Sequence, residues 1–96
     1  MSIYLIANIA IEDRDRYRRY EAGFMEIFGR HAGELLAVDE KATVLEGEHP
    51  YTRTVLIRFP SQEQADAWYH SPEYQALAQH RFASSRADIV SVQGLA

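Results

Sequence analysis

Residues 52–81 read TRTVLIRFPSQEQADAWYHSPEYQALAQHR, and this stretch decides the fold. From Thr52 to Phe59 the side chains Val55, Leu56, Ile57 and Phe59 meet little polar interruption before Arg58, the composition of an interior strand, and Pro60 ends it. Ser61 with Gln64 three residues on has the form of a helix-capping box, and Ala65, Trp68 and Tyr69 fall on one side of the helix it opens. Ser71-Pro72 is a second start signal, a capping hydroxyl followed by proline at the first helical position. The helix therefore breaks and restarts, with Tyr74, Leu77, Ala78, Arg81 and Phe82 on the new stripe.

Upstream, Ile3 to Ile9 is short and rich in β-branched and aromatic residues, which predicts a strand. Tyr17, Tyr20, Phe24, Ile27 and Phe28 then recur at three- and four-residue steps, which predicts an amphipathic helix with Asp13 as its N-cap and Gly33 as its stop. Leu35 to Val38 predicts a second strand. Asp39-Glu40-Lys41 interrupts it before Thr43-Val44-Leu45, so an irregular strand or a short hairpin is expected there. Gly47 to Tyr51 reads as a loop and Asp88 to Val92 as the last strand. The order strand, helix, strand, strand, helix pair, strand gives an α+β, ferredoxin-like βαββαβ protomer, residues 1–96 forming one domain. Its four-stranded antiparallel sheet carries the helices on one face.

The other face of such a sheet alternates to polar residues when it meets water. Here either parity is apolar: Ile3, Leu5 and Ile9 or Tyr4 and Ile6 on the first strand, and Leu56 or Val55, Ile57 and Phe59 on the third. The last strand offers Val90 and Val92 or Ile89. About six such side chains leave on the order of 10–15 kcal/mol of gross burial unrealised in a lone protomer. The expectation is a homodimer, two sheets packed face to face to close a barrel.

The formal charge of −4 argues against nucleic acid, whose phosphates select clustered Lys and Arg. No cysteine is present, which excludes disulfides, thiolate catalysis and Cys-ligated zinc. The apolar run Ile3 to Ile11 is too short to span a bilayer and follows no basic leader, so no membrane association and a cytoplasmic location are expected.

His31, His49, His70 and His80 are the groups that titrate nearest neutrality, and none has the paired spacing of a zinc helix. Neither a metal nor another cofactor is expected. His31 complements the dipole at the end of the first helix, and is also the leading histidine for a general base. Trp68 and Tyr74 read as core residues whose N–H and O–H find partners, or as part of an apolar ligand wall. In the functional reading Trp68, Tyr69, Tyr74, Arg81 and Tyr17 bind a small aromatic or carboxylated molecule, with His31, Tyr74 and Arg81 as catalytic candidates. An arginine on an apolar stripe requires a partner. Glu46, Glu48 or Asp88 would make Arg81 structural, and a ligand carboxylate would make it functional.

Tyr17-x-x-Tyr20, Val44-Leu45-Glu46-Gly47, Arg53, Phe59-Pro60-Ser61, Ala67-Trp68-Tyr69, Ser71-Pro72-Glu73-Tyr74 and Arg81 together resemble the bacterial family called domain of unknown function 1330. That family lies within the dimeric α/β-barrel superfamily. The resemblance spans nearly the whole chain and implies a ferredoxin-like protomer and a sheet-to-sheet dimer, with no established activity. The wider superfamily holds cofactor-independent monooxygenases, isomerases and haem proteins, so enzyme activity of the first two kinds and a noncatalytic dimer are both carried forward.

Overall fold

The structure, a computed structural model, describes residues 1–95. Its elements are β1 (Ile3–Ile11), α1 (Arg14–Phe28), β2 (Glu34–Asp39), β3 (Arg53–Phe59), α2 (Gln62–Tyr69), α3 (Pro72–Ser84) and β4 (Ser85–Gln93). The strands form one antiparallel sheet in the order β2-β3-β1-β4. The fold is ferredoxin-like, as the element order predicts.

Each helix starts where its capping signal stands. The Asp13 carboxylate accepts from the Arg16 N–H at 3.1 Å, Ser61 Oγ from the Gln64 N–H at 3.2 Å, and Ser71 Oγ from the Tyr74 N–H at 3.2 Å. Ser71 also donates its hydroxyl to the Trp68 carbonyl at 2.8 Å. One side chain thus closes α2 and opens α3, which fixes how Trp68 and Tyr74 face each other.

Alternation along β1 sends Ile3, Leu5, Ala7 and Ile9 into the core beneath the helices, joined by Val55, Ile57 and Phe59 of β3. The opposite face carries Tyr4 and Ile6, paired in register with Val92 and Val90 of β4 on one side and Arg58 and Leu56 of β3 on the other. Val90 is 54% exposed and Val92 41%. Further along this face the surface turns polar. Asn8 Oδ1 accepts from the Thr54 hydroxyl at 2.9 Å and meets His49 Nε2 at 3.1 Å, while Tyr51 donates to Asp88.

Four boundaries differ from expectation. α1 stops at Phe28, where the Gly29 N–H returns to the Met25 carbonyl at 2.8 Å, and Gly33 is not its stop. Gly33 instead leads into β2 at a point with no room for a side chain: a Cβ there would lie 2.5 Å from a Phe28 ring carbon and 2.6 Å from one of Phe59. Thr43 to Leu45 forms no strand. Asp39 Oδ1 accepts from the Lys41 N–H at 2.8 Å and turns the chain away from the sheet, leaving Leu45 91% exposed. The predicted irregularity exists but lies inside β2, where a bulge between Leu35 and Ala37 shifts the register against β3. β4 begins earlier than expected because Ser85 Oγ caps the Arg81 carbonyl at 2.6 Å and passes directly from helix into strand.

Gly33→Ala should destabilise the fold by roughly 1–3 kcal/mol through overpacking against Phe28 and Phe59. Urea unfolding followed by circular dichroism measures this, and an unchanged midpoint would contradict the packing described.

Candidate functional site

Between the helices and the sheet the side chains leave a cavity of about 210 Å³. Its floor is β1 and β3 (Leu5, Ala7, Ile9, Val55 and Ile57), its roof is α1, and its back wall is Trp68, Tyr69, Tyr74, Arg81 and Ile89. Its lining residues Met25 of α1 and Leu35 and Val38 of the exposed edge strand β2 reach solvent, and they form its opening.

The structure brings five predicted site residues together: Tyr17, Trp68, Tyr69, Tyr74 and Arg81 all line this space. His31 is not among the lining residues; it lies in the turn after α1. Four further lining residues, Tyr20, Phe24, Glu21 and Arg53, have no place among the sequence-derived site candidates. Tyr20 carries the signal of a core position on a three-and-four stripe, and the Tyr17-x-x-Tyr20 pair marks the family without giving Tyr20 a role in a site.

Aromatic contacts hold the wall in place. The Trp68 ring lies 4.3 Å from that of Tyr74 and 5.7 Å from Phe59, and Phe24 and Phe28 of α1 meet it edge-on. The Tyr20 and Tyr74 hydroxyls are 2.7 Å apart and buried. The Trp68 Nε1–H, expected to find a partner, has none among the described residues.

Arg81 pairs with none of the three carboxylates that would make it structural. It is only 4% exposed and, among the described residues, forms no ion pair. Glu46 and Glu48 stand exposed on their loop, and Asp88 takes the Tyr51 hydroxyl on the far face of the sheet. Two of the Arg81 donors, Nε and Nη2, have no acceptor among the described residues. The guanidinium rests instead over the rings of Phe82 at 4.9 Å and Tyr20 at 5.7 Å. Burial opposes its charge, but the Tyr74 and Tyr20 oxygens beside it outweigh that effect and hold it protonated.

The other cation of the cavity has counterions. Arg53, over the Tyr17 ring at 5.8 Å, pairs with Glu21 at 3.5 Å and Glu40 at 3.4 Å, and Glu40 also takes Arg14 at 2.8 Å. The Arg14 hydrogen bond is the main cause that holds the Glu40 carboxyl below its ordinary pKa.

Burial raises the pKa of Tyr17, Tyr20 and Tyr74, that of Tyr17 to about 12. For Tyr74, neighbouring Arg81 and the bond to Tyr20 work against the rise without cancelling it. At neutral pH the wall is thus a set of neutral phenols beside one fixed cation. It can donate hydrogen bonds and stabilise negative charge.

The fold that holds this cavity is ferredoxin-like, a four-stranded antiparallel sheet with three helices. A sequence model of the family described as Domain of unknown function (DUF1330) matches residues 2–95, and the chain belongs to that family. Among solved structures it is similar to RPA0582 of Rhodopseudomonas palustris, a protein of unknown function, with a TM-score of 0.83 at 15% identity, covering 99% of this chain and 83% of that one. A dimeric ferredoxin-like protein of unknown function from Jannaschia sp. CCS1 gives 0.73 at 17% identity, covering 98% and 100%. SnoaB, a cofactor-independent oxygenase from Streptomyces nogalater, gives 0.67 at 13% identity, covering 97% and 92%. At these identities the likeness speaks to fold alone. No curated protein matches the chain.

A tyrosine whose pKa is raised by folding stabilises the native state fully below its unfolded value near pH 10, and that contribution is lost as pH rises toward the folded value. Melting temperature should therefore fall as pH climbs from 10 toward 12. Tyr17 alone accounts for on the order of 2–3 kcal/mol of the loss. Tyr17→Phe should flatten the decline in a thermal-melt series, and identical slopes for the two proteins would refute the assignment.

Proposed function

We propose that this protein is a homodimer whose protomers pack through the helix-free faces of their sheets, and that each cavity binds a small aromatic or carboxylated molecule. Arg81 carries the ligand reading. A guanidinium 4% exposed, with no carboxylate partner among the described residues and two donors unmet, offers a bound anion both a charge and hydrogen bonds in an otherwise aromatic cavity. The dimer reading draws support from the apolar rows Tyr4–Val92 and Leu56–Ile6–Val90 on the helix-free face, and from the dimeric state named for structural neighbours.

A catalytic reading is favoured by one observation, the Tyr20–Tyr74 hydroxyl pair beside Arg81. Tyr74 would hand a proton to or from the ligand while Arg81 stabilises the developing anion, in cofactor-independent oxygenation or isomerisation. The oxygenase activity named for SnoaB points to the same chemistry by analogy of fold.

A thermal-shift screen of aromatic acids, quinols and lactones tests binding, and oxygen uptake on the hits tests turnover. Arg81→Met should keep the native circular dichroism spectrum and abolish the ligand-induced shift. A variant that folds and responds as the parent does would defeat the ligand reading. For assembly, the parent should sediment as a dimer at micromolar concentration. Val90→Glu, a change at a position 54% exposed in the protomer, should give a folded monomer. A parent that sediments as a monomer would overturn the dimer.

A further inference from the structure

Besides the tyrosines, the ionisable side chains lining the cavity are Glu21, Arg53 and Arg81. Glu21 and Arg53 pair with each other at 3.5 Å, and Glu40 and Arg14 complete a network of two cations and two anions beside the opening. That end is electrically balanced. Arg81, on α3, which packs against α1 and β4, is the charge without a counterion among the described residues.

The hydrogen-bonding inventory has the same polarity. The buried, unpartnered atoms of cavity residues are Arg81 Nε and Nη2, Trp68 Nε1 and Arg53 Nε, all of them donors. An occupant rich in acceptors suits this wall, and one that brings amine or hydroxyl protons does not. Size narrows the class further. A dry cavity of roughly 150 Å³ holds benzene, so about 210 Å³ admits one ring with a small substituent.

We propose, resting on the ligand reading above, that the cavity selects planar single-ring aromatic monoanions taken in charge first. The anionic oxygens meet Arg81 at the back, and the ring lies among Tyr20, Trp68 and Tyr74. Glu21 sets the preference for one charge because, with Glu40, it balances Arg53 and Arg14. A neutral isostere leaves Arg81 without a counterion, and a dianion carries one negative charge more than the cavity balances.

Isothermal titration calorimetry of the full chain at neutral pH with benzoate, benzamide and phthalate tests this. Benzoate should bind about tenfold or more tighter than either of the others, the size expected when a buried charge loses its partner. Glu21→Gln leaves Arg14 and Arg53 sharing Glu40, one cation in excess, and should shift the phthalate-to-benzoate affinity ratio toward phthalate by about tenfold. Glu21 is partly exposed, and circular dichroism establishes that the variant is folded. Equal affinities for benzoate and benzamide would overturn the charge selection while leaving a ligand cavity in place. A ratio that Glu21→Gln does not move would overturn the role given to the Glu21–Arg53 pair. No heat from any of the three, with no hit in the wider melting screen, would remove the ligand reading itself and this inference with it.

Discussion

The packing of one indole holds the molecule together. Trp68 lies within 6 Å, ring to ring, of Phe59 on β3, Phe24 and Phe28 on α1, and Tyr74 on α3. Through it the three helices acquire a common reference on the sheet. Because Ser71 ties the end of α2 to the start of α3, Trp68 and Tyr74 are fixed by the backbone as well as by ring contact. The cavity is the space left when such bulky, rigid groups meet at one side of a four-stranded sheet whose edge strand β2 is exposed.

Within that frame the unusual element is electrostatic. Buried arginines in folded proteins are normally answered by carboxylates. Here the acidic residues nearest in sequence pattern go elsewhere, and aromatic faces with two phenols surround the guanidinium. Aromatic faces attract a cation but do not accept strong hydrogen bonds, so they leave the Nε and Nη2 donors unmet. The balanced network of Arg14, Glu21, Glu40 and Arg53 beside the opening makes the contrast sharper, since it shows the chain supplying counterions a short distance away.

Much of the fold is legible in the residues because strong local signals agree with the global arrangement. Asp13, Ser61 and Ser71-Pro72 set the phase of every helix, and the phase of α2 and α3 decides that Trp68, Tyr69, Tyr74 and Arg81 share a wall. What depends on distant partners is not legible. The Tyr20–Tyr74 bond joins residues 54 apart in the chain, and before the chain folds Tyr20 is one more apolar position on α1. Whether Arg81 has a counterion turns on where Glu46, Glu48 and Asp88 come to rest, and loop and register decide that. Gly33 reads as a helix stop because glycine does so often, whereas here it is the space between two phenyl rings that requires it. Thr43 to Leu45 has strand composition but no neighbouring strand to pair with.

The bulge in β2 shapes the opening in a way substitution alone cannot. Leu35 pairs with Ile57 and Val38 with Val55, so two residues three apart in sequence both face the cavity, with Leu36 as the extra residue between them. In a regular strand, positions three apart lie on opposite faces. Removal of one residue from this bend would send one of the pair to the other side of the sheet and reset the rim in a single genetic event. Length variation in the edge strand, more than exchange of side chains, is thus a direct route by which descendants of this chain can acquire a wider or narrower entrance while the aromatic interior stays intact.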